Sequence, residues 1–469
     1  MKKEKVIRDP IFGYISIPHN YFDDFIDNEI FQRLRRIEQT SMRVVYPSAH
    51  HDRFSHSIGV FHLGRIAFKH IRENSSKHYE KIITNDVWNK YQNSFEIACL
   101  LHDCGHAPFS HTLENYFLDS DKKKDFVEQK LIHAFQDEPS FFNELKSAAP
   151  NPHEKISTVI ILEKFADIII GDNYKADVKL VCRMILGCTH SGIVSKVKQV
   201  ENKLIRLLNG KAFDVDGLDY IQRDTWASGV SNMNIDYERL LASLEIKDNK
   251  DGVPQIIFKK QAQSVINNIS IGRNFLFQWI YAHHKAVYEM FLIQESIDII
   301  NKNHLKTLSD KLLSVDAILN KTSISKEFEF YLPTDDDIIH VFKRFMFKNI
   351  EPINEFLSRK HRYKALWKST FEFYSLFGHI SNDNLLNIYE TLRRDNPFDF
   401  KIITLKAILK LKPFNKGEIY IDLNGTIVDA ANLSFDSRIE NIFCFYCYVE
   451  KDKLDKKEEI ISKLKTMVT

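Results

Sequence analysis

The chain has 469 residues, 44% of them hydrophobic and 27% charged, with 65 Lys and Arg against 63 Asp and Glu and a net charge of +2. That balance excludes a polyanion-binding surface over the whole molecule and leaves only local basic patches. The length allows a large core, with more than one domain or one domain bearing a long appendage, and 15 Gly with 12 Pro point to long helices, not low-complexity segments.

The charged start Met1-Lys2-Lys3-Glu4-Lys5 is followed by no apolar signal region, and no run approaches transmembrane length. No membrane partner and a cytoplasmic location are therefore expected. Cys99, Cys104, Cys182, Cys188, Cys444 and Cys447 lie mostly in apolar patterns, where Cys acts as a small hydrophobe. Cys444 and Cys447 have CxxC spacing but sit in an alternating strand pattern, with no second pair to complete a zinc site.

In chain order, residues 6–20 read as an extended hairpin. A helix follows, carrying Ile26, Ile30, Phe31, Leu34 and Ile37. Residues 44–56 read as a loop leading into a helix over 57–71. A helix then runs into His102 and Asp103 and is stopped by Gly105 and Pro108. Others are expected near Pro152, over 174–187 and 201–208, and from Asp214. Residues 261–301 read as one very long helix, and 332–337 as a loop. From Gly417 the pattern is β, with a turn at Asn424-Gly425, a strand over 441–449 and a closing charged helix over 454–466. The fold class expected is mostly α, a helical core with a C-terminal α+β region containing a small antiparallel sheet. The division falls into 1–302, with the N-terminal hairpin, and 303–469.

His102 and Asp103 side by side at a helix tip form a metal-site candidate, because buried imidazoles and carboxylates are costly unless paired or ligated. Alone, the pair reads as a cap. Taken with His56 and Asp216, also beside helix ends, it becomes two imidazoles and two carboxylates. That set suits a divalent ion such as Mn, Fe, Mg or Zn.

These residues and their flanks, VIRDPIFG (6–13), FQRLRR (31–36), RFSHSIGV (53–60), LHDCGHAPFSH (101–111) and DVDGLDYIQRD (214–224), resemble the HD-domain metal phosphohydrolases. Within them they are similar to the deoxynucleoside triphosphate triphosphohydrolase branch. The resemblance covers roughly residues 5–300, as an HD-domain phosphohydrolase core.

It implies hydrolysis of dNTPs to deoxynucleoside and tripolyphosphate, with His56, His102, Asp103 and Asp216 as metal ligands. His106 and His111 would lie beside the α-phosphate, His111 as general acid oriented by Glu114, with His153 as a further active-site histidine. His153 also reads as an ordinary first-turn helix residue. Arg53 would hold phosphates, and Gln39, Tyr220 and Asp224 would face the sugar, Tyr220 having helix packing as its alternative. Tyr281-Ala282-His283-His284-Lys285 would line the nucleotide pocket, with either histidine as the match. Asp27, Gln32 and Arg35 match an allosteric site for an activating nucleotide, although Arg35 reads equally as a surface charge. A homo-oligomer, tetramer or dimer, is implied.

Departures are Gly217 for a lysine, Thr40 for an apolar residue near the sugar, and Arg8 and Phe12 near the allosteric position. The competing readings are another HD phosphohydrolase, acting on monophosphates, cyclic nucleotides or nucleic-acid ends, and a nucleotide-sensing or nucleic-acid-binding protein without turnover. The Lys451–Lys465 stretch has the mixed signs of a solvated helix face and gives nucleic-acid binding no support.

Overall fold

A computed structural model of the chain describes residues 4–210, 213–230, 235–377, 380–409, 419–433 and 442–467. Residues 1–3, Gly417 and the first residue of the 441–449 strand lie outside them. The fold is mostly α, with small sheets. It opens on an antiparallel hairpin, β1 (Glu4–Asp9) and β2 (Gly13–Pro18). Gly13 turns it with φ +74, a left-handed value that favours glycine. Asp9 closes the turn by accepting from the Ile11 and Phe12 amides at 2.8 and 3.0 Å.

The next apolar stretch is not the single helix its spacing suggests. A wide turn (Phe22–Ile26), a short helix (Glu29–Gln32) and a tight turn (Arg33–Arg36) share it. Asn28 is the cause. Its backbone is extended and its side chain caps the Ile30 amide at 2.9 Å, which restarts the helix. The five apolar residues are still all buried.

Helix α1 (Arg53–Tyr79) starts earlier than the apolar pattern suggests, because Asp52 caps it through the Ser55 amide at 2.8 Å. Arg53 and His56 are therefore on its first turn, not in a loop. Next come α2 (Asn85–Leu101), α3 (Pro152–Ile160), α4 (Val178–Leu186), α5 (Lys196–Leu208) and α6 (Val215–Ala227). Helix α3 opens on a capping box between Asn151 and Glu154.

After β3 (Leu244–Asp248) and β4 (Pro254–Lys259), the expected long helix is two. These are α7 (Gln263–Phe275), continued by a wide turn over Leu276–Tyr281, and α8 (His284–Asn303). His283 breaks them: it is extended and its ring accepts from the Lys285 amide at 3.2 Å.

The rest of the chain includes, among further helices, a hairpin of β5 (Thr322–Ser325) and β6 (Phe328–Phe330), helix α9 (Asp335–Phe345), β7 (Tyr363–Ala365), β8 (Ile403–Leu409), β9 (Tyr420–Leu423), β10 (Thr426–Asp429), β11 (Ile442–Glu450) and α10 (Lys457–Thr466). Asp335, Asp336 and Asp337, expected in a loop, form the first turn of α9. Thr334 and Asp337 cap that helix reciprocally. Strands β7, β11 and β8 form one antiparallel sheet, while β9 joins β4 in parallel, in the order β10-β9-β4-β3.

Two apolar clusters result. The main core packs around α1 and α2. The second surrounds Trp367, Phe445 and Tyr448 on the β11 sheet. Helix α8 serves both, giving Ile293, Ile297 and Ile300 to the first and Tyr288 and Leu292 to the second. All six cysteines are buried and unpaired. Among the described residues no helix is long and apolar enough to cross a membrane.

Candidate metal centre and active site

Three helix ends meet at one point. The first turn of α1 brings His56, the end of α2 brings His102 and Asp103, and the first turn of α6 brings Asp216. His56 Nε2 lies 3.0 Å from Asp216 Oδ1 and 3.5 Å from Asp103 Oδ2. His102 Nε2 lies 3.4 Å from Asp103 Oδ1 and 3.7 Å from Asp216 Oδ1.

Both imidazoles are held from behind. His102 Nδ1 faces the Cys99 carbonyl at 2.9 Å, which fixes its proton there and turns the other nitrogen inward. That inward Nε2 is buried and has no hydrogen-bond partner. His56 Nδ1 meets Asp219 Oδ2 at 2.7 Å. An orphaned imidazole nitrogen facing two carboxylates is what a divalent ion would satisfy, so the donor set fits one.

The electrostatics agree. Burial opposes charge on His56, but Asp216 and Asp219 override it and raise the imidazole to about 10. Burial opposes charge on Asp103 too, yet Arg53, His102 and His106 hold it well below the usual carboxylate range. The cavity favours positive charge, as a proton or as an ion.

Asp219 was not anticipated from sequence, nor was what lies behind it. Arg223 pairs with Asp219 at 2.9 and 2.8 Å and with Asp9 of the hairpin at 2.9 Å. This chain crosses α1 at Gly59, where an added Cβ would lie 1.9 Å from Asp219 Oδ1. The i, i+4 spacing of Asp219 and Arg223 was the available signal.

Beside the metal set stands a second group. His106 and His153 stack at 3.9 Å, and His111 meets both edge-on at 5.0 and 5.4 Å. Glu114 Oε2 bridges His153 Nδ1 at 2.8 Å and His111 Nδ1 at 3.1 Å. Burial, with Arg53 and His153 nearby, pushes His106 well below the ordinary imidazole value, so it is neutral. His111 is more than half exposed and could reach a ligand. Gly105 lets this loop press on α3, its amide donating to Ser157 Oγ at 2.9 Å.

Arg53 is buried and turned toward the protein. It reaches Asp103 at 2.7 Å, Ser110 Oγ at 2.9 Å and the Gln39 carbonyl at 3.1 Å. Three of its five N–H groups are thereby used. Gln39 is buried, with an unpartnered Oε1. Asp224 is fully buried, its two oxygens taken by His51 Nε2 at 2.6 Å and by the Tyr281 hydroxyl. Tyr220 is half-buried one turn before Asp224 on α6.

His51 was not singled out from sequence, and its Nδ1 is buried without a partner. His283 and His284 turn elsewhere, the first capping α8 and the second meeting the Lys368 carbonyl at 3.0 Å. Asp27 pairs with Lys5 at 3.1 Å, while Arg35 donates to Gln32 at 2.9 Å and lies over the Phe54 ring. Asp27, Gln32 and Arg35 stand apart from the metal centre's network.

Residues 53–186 match the family model of the HD domain. An uncharacterized protein of Mycoplasma pneumoniae is 27% identical over 352 residues, covering 71% of each chain. The deoxynucleoside triphosphate triphosphohydrolase SAMHD1 homolog of Dictyostelium discoideum is 29% identical over 340 residues, 70% of this chain and 56% of that protein. A phosphohydrolase structure from Bacteroides thetaiotaomicron superposes with TM-score 0.62 at 20% identity, over 96% of this chain and all of that one, which shows the fold. The resemblance to the HD-domain deoxynucleoside triphosphate triphosphohydrolases therefore holds, with an HD domain over residues 53–186 and His and Asp groups that could bind a metal.

Proposed function

We propose that the protein hydrolyses deoxynucleoside triphosphates to deoxynucleoside and tripolyphosphate. The observation that carries this reading is the adjacency of two built groups. The ligand set His56, His102, Asp103 and Asp216 abuts the His106–His153–His111–Glu114 cluster, with His106 Nε2 3.3 Å from Asp103 Oδ1. A divalent ion bound there supplies charge stabilisation and activation of water.

The chain's own residues do the rest. Asp219 and the Cys99 carbonyl orient the two ligand imidazoles. Arg53 fixes Asp103 and keeps two N–H groups for phosphate oxygens. The water oxygen bonds to the α-phosphorus and releases its proton to solvent while the bond to the 5′-oxygen breaks, and His111 gives that oxygen its proton. Glu114 orients His111 and His153 together. In this reading Gln39, Tyr220 and Asp224 stand on the sugar side.

Purified protein is incubated with each dNTP and several divalent metals, with and without a second nucleotide, and the products are separated. Tripolyphosphate release supports the reading, whereas phosphate or pyrophosphate release refutes it. An activating nucleotide at Asp27, Gln32 and Arg35 would appear as stimulation by the second nucleotide. The same reading includes a homo-oligomer, and light scattering that shows only active monomer would remove that part.

A further inference from the structure

Two consecutive non-glycine residues, Phe109 and Ser110, hold left-handed backbones with φ 54 and 51. They precede His111 directly. Such conformations persist only where the surroundings over-determine them. What surrounds these is a segment 226 positions further along the chain, beyond the residues that match the HD domain.

Asp335, on the first turn of α9, is buried. Its Oδ1 accepts from the Phe109 amide at 2.6 Å, and its Oδ2 accepts from the Glu38 amide at 2.9 Å. One carboxylate thus joins the turn before His111 to the residue before Gln39. Ser110 Oγ donates to the Glu38 carbonyl and closes the same ring of contacts. Two residues upstream of Asp335, the Pro333 carbonyl accepts from Arg33 Nε at 2.9 Å. Arg33 also donates to the carbonyls of Cys104, at 3.4 Å, and His106. The loop carrying Asp103, His106 and His111 is therefore held by Asp335 at Phe109 and by Arg33 at Cys104 and His106, Arg33 being itself anchored on Pro333. Burying a carboxylate is costly unless its bonds are needed, and here burial lifts its pKa to about 7 against the pull of both amides.

We propose that Asp335 is a positioning residue of the active site, setting the acid-bearing turn at His111 and the sugar-facing segment at Gln39 in one register. It rests on the roles proposed above for those two residues. It makes the C-terminal region a component of the site. Only the two-oxygen carboxylate can accept both amides. An asparagine there keeps one acceptor and turns an N–H group against the other amide.

The test compares Asp335→Asn with Asp336→Asn, the neighbouring change on the same helix turn, where Asp336 is exposed and pairs with Arg36. Hydrogen exchange is followed by mass spectrometry in peptides spanning residues 36–41 and 104–113, with bound metal and dNTP kinetics measured in parallel. In Asp335→Asn, exchange in those two peptides should rise about 10- to 100-fold with other peptides unchanged. Metal content should stay at the wild-type level. The kcat should fall about 10- to 100-fold with a smaller change in KM. Asp336→Asn should match wild type throughout.

Wild-type exchange at both peptides would overturn the proposal, as would acceleration spread evenly over the whole chain. Inactive wild-type protein on every dNTP would count against the proposed reaction, while the exchange result would still decide whether Asp335 holds the two segments.

Discussion

Replacing Gly59 by alanine tests the metal centre from behind without touching a ligand. The new Cβ would lie 1.9 Å from Asp219 Oδ1, 2.5 Å from Arg223 Nη2 and 2.8 Å from Asp219 Cγ. No such contacts are tolerated, so Asp219 must retreat. Helix propensity alone favours the change by about 1 kcal/mol. Overpacking costs about 1–3 kcal/mol, so the net loss of stability should be about 0–2 kcal/mol. The larger effect is on His56, which loses its 2.7 Å bond at Nδ1. Losing a partner that orients a metal-bound histidine costs about 10- to 100-fold in metal affinity. The assay is competition for Mn²⁺ or Zn²⁺ against a chromogenic chelator, with thermal melts alongside. Gly252→Ala is the control, because its φ of +72 strains an alanine while nothing lies within 4 Å of the added Cβ. It should lower Tm without weakening metal binding. A Gly59→Ala protein with wild-type metal affinity would refute the role assigned to Asp219.

Asp103→Ala and His102→Ala should lose both bound metal and dNTP hydrolysis while far-UV circular dichroism keeps its helical form, and wild-type turnover in either contradicts the ligand set. Asp224→Ala should narrow the gap in kcat/KM between dNTPs and dideoxy analogues, because a group built around a substrate hydroxyl is then missing; an equal loss on both substrates would make Asp224 structural. The Glu114–His153 pair should show in the pH dependence of stability. Burial raises Glu114, but His111 and His153 hold it below the usual range, so its contribution exists above about pH 4.3 and is lost as pH falls. Burial lowers His153, but Glu114 raises it, so its contribution is full below about pH 6.5 and is lost as pH rises. The Tm difference between wild type and Glu114→Gln should peak between those limits, and a flat difference from acid to alkaline pH would contradict the pairing.

The convergence of His56, His102, Asp103 and Asp216 was legible because its signal is local. His102 and Asp103 are adjacent, and each of the four residues sits beside a break in an apolar pattern. The groups that orient them were not. Asp9 meets Arg223 across 214 positions, and Asp335 meets Glu38 across 297, and no short spacing records such pairs. Arg53 was read as a phosphate ligand from its motif, yet only the folded chain shows Asp103 taking one edge of its guanidinium. The broken helices were hidden for another reason. Burial of Ile26, Ile30, Phe31, Leu34 and Ile37 preserves the helical spacing that Asn28 interrupts, so periodicity reports the core face and not the continuity of the backbone. Likewise, the wide turn at Leu276–Tyr281 keeps every residue apolar or aromatic except Gln278.

The charges around the metal centre set the order of binding. Asp9, Asp103, Asp216 and Asp219 stand against Arg53 and Arg223, which leaves two uncompensated negative charges in one network, buried except at Asp216, whose side chain is 38% exposed. The raised pKa of His56, which burial opposes but Asp216, Asp219 and Asp103 hold up, reflects that excess, since a proton supplies part of the balancing charge. A triphosphate carries several negative charges and would be repelled by the same field. A divalent ion held by His56, His102, Asp103 and Asp216 would offset the two charges, and His56 would have to give up its proton to ligate it, because a ligating imidazole is neutral. Nucleotide affinity should therefore depend on prior metal binding, and metal uptake should release about one proton below pH 10. Calorimetry in buffers of different ionisation enthalpy counts that proton, and equilibrium dialysis with a labelled dNTP at low temperature measures affinity with and without metal. A metal-free protein that holds dNTP as tightly as the loaded one would mean that the phosphates are met elsewhere, by groups outside this network.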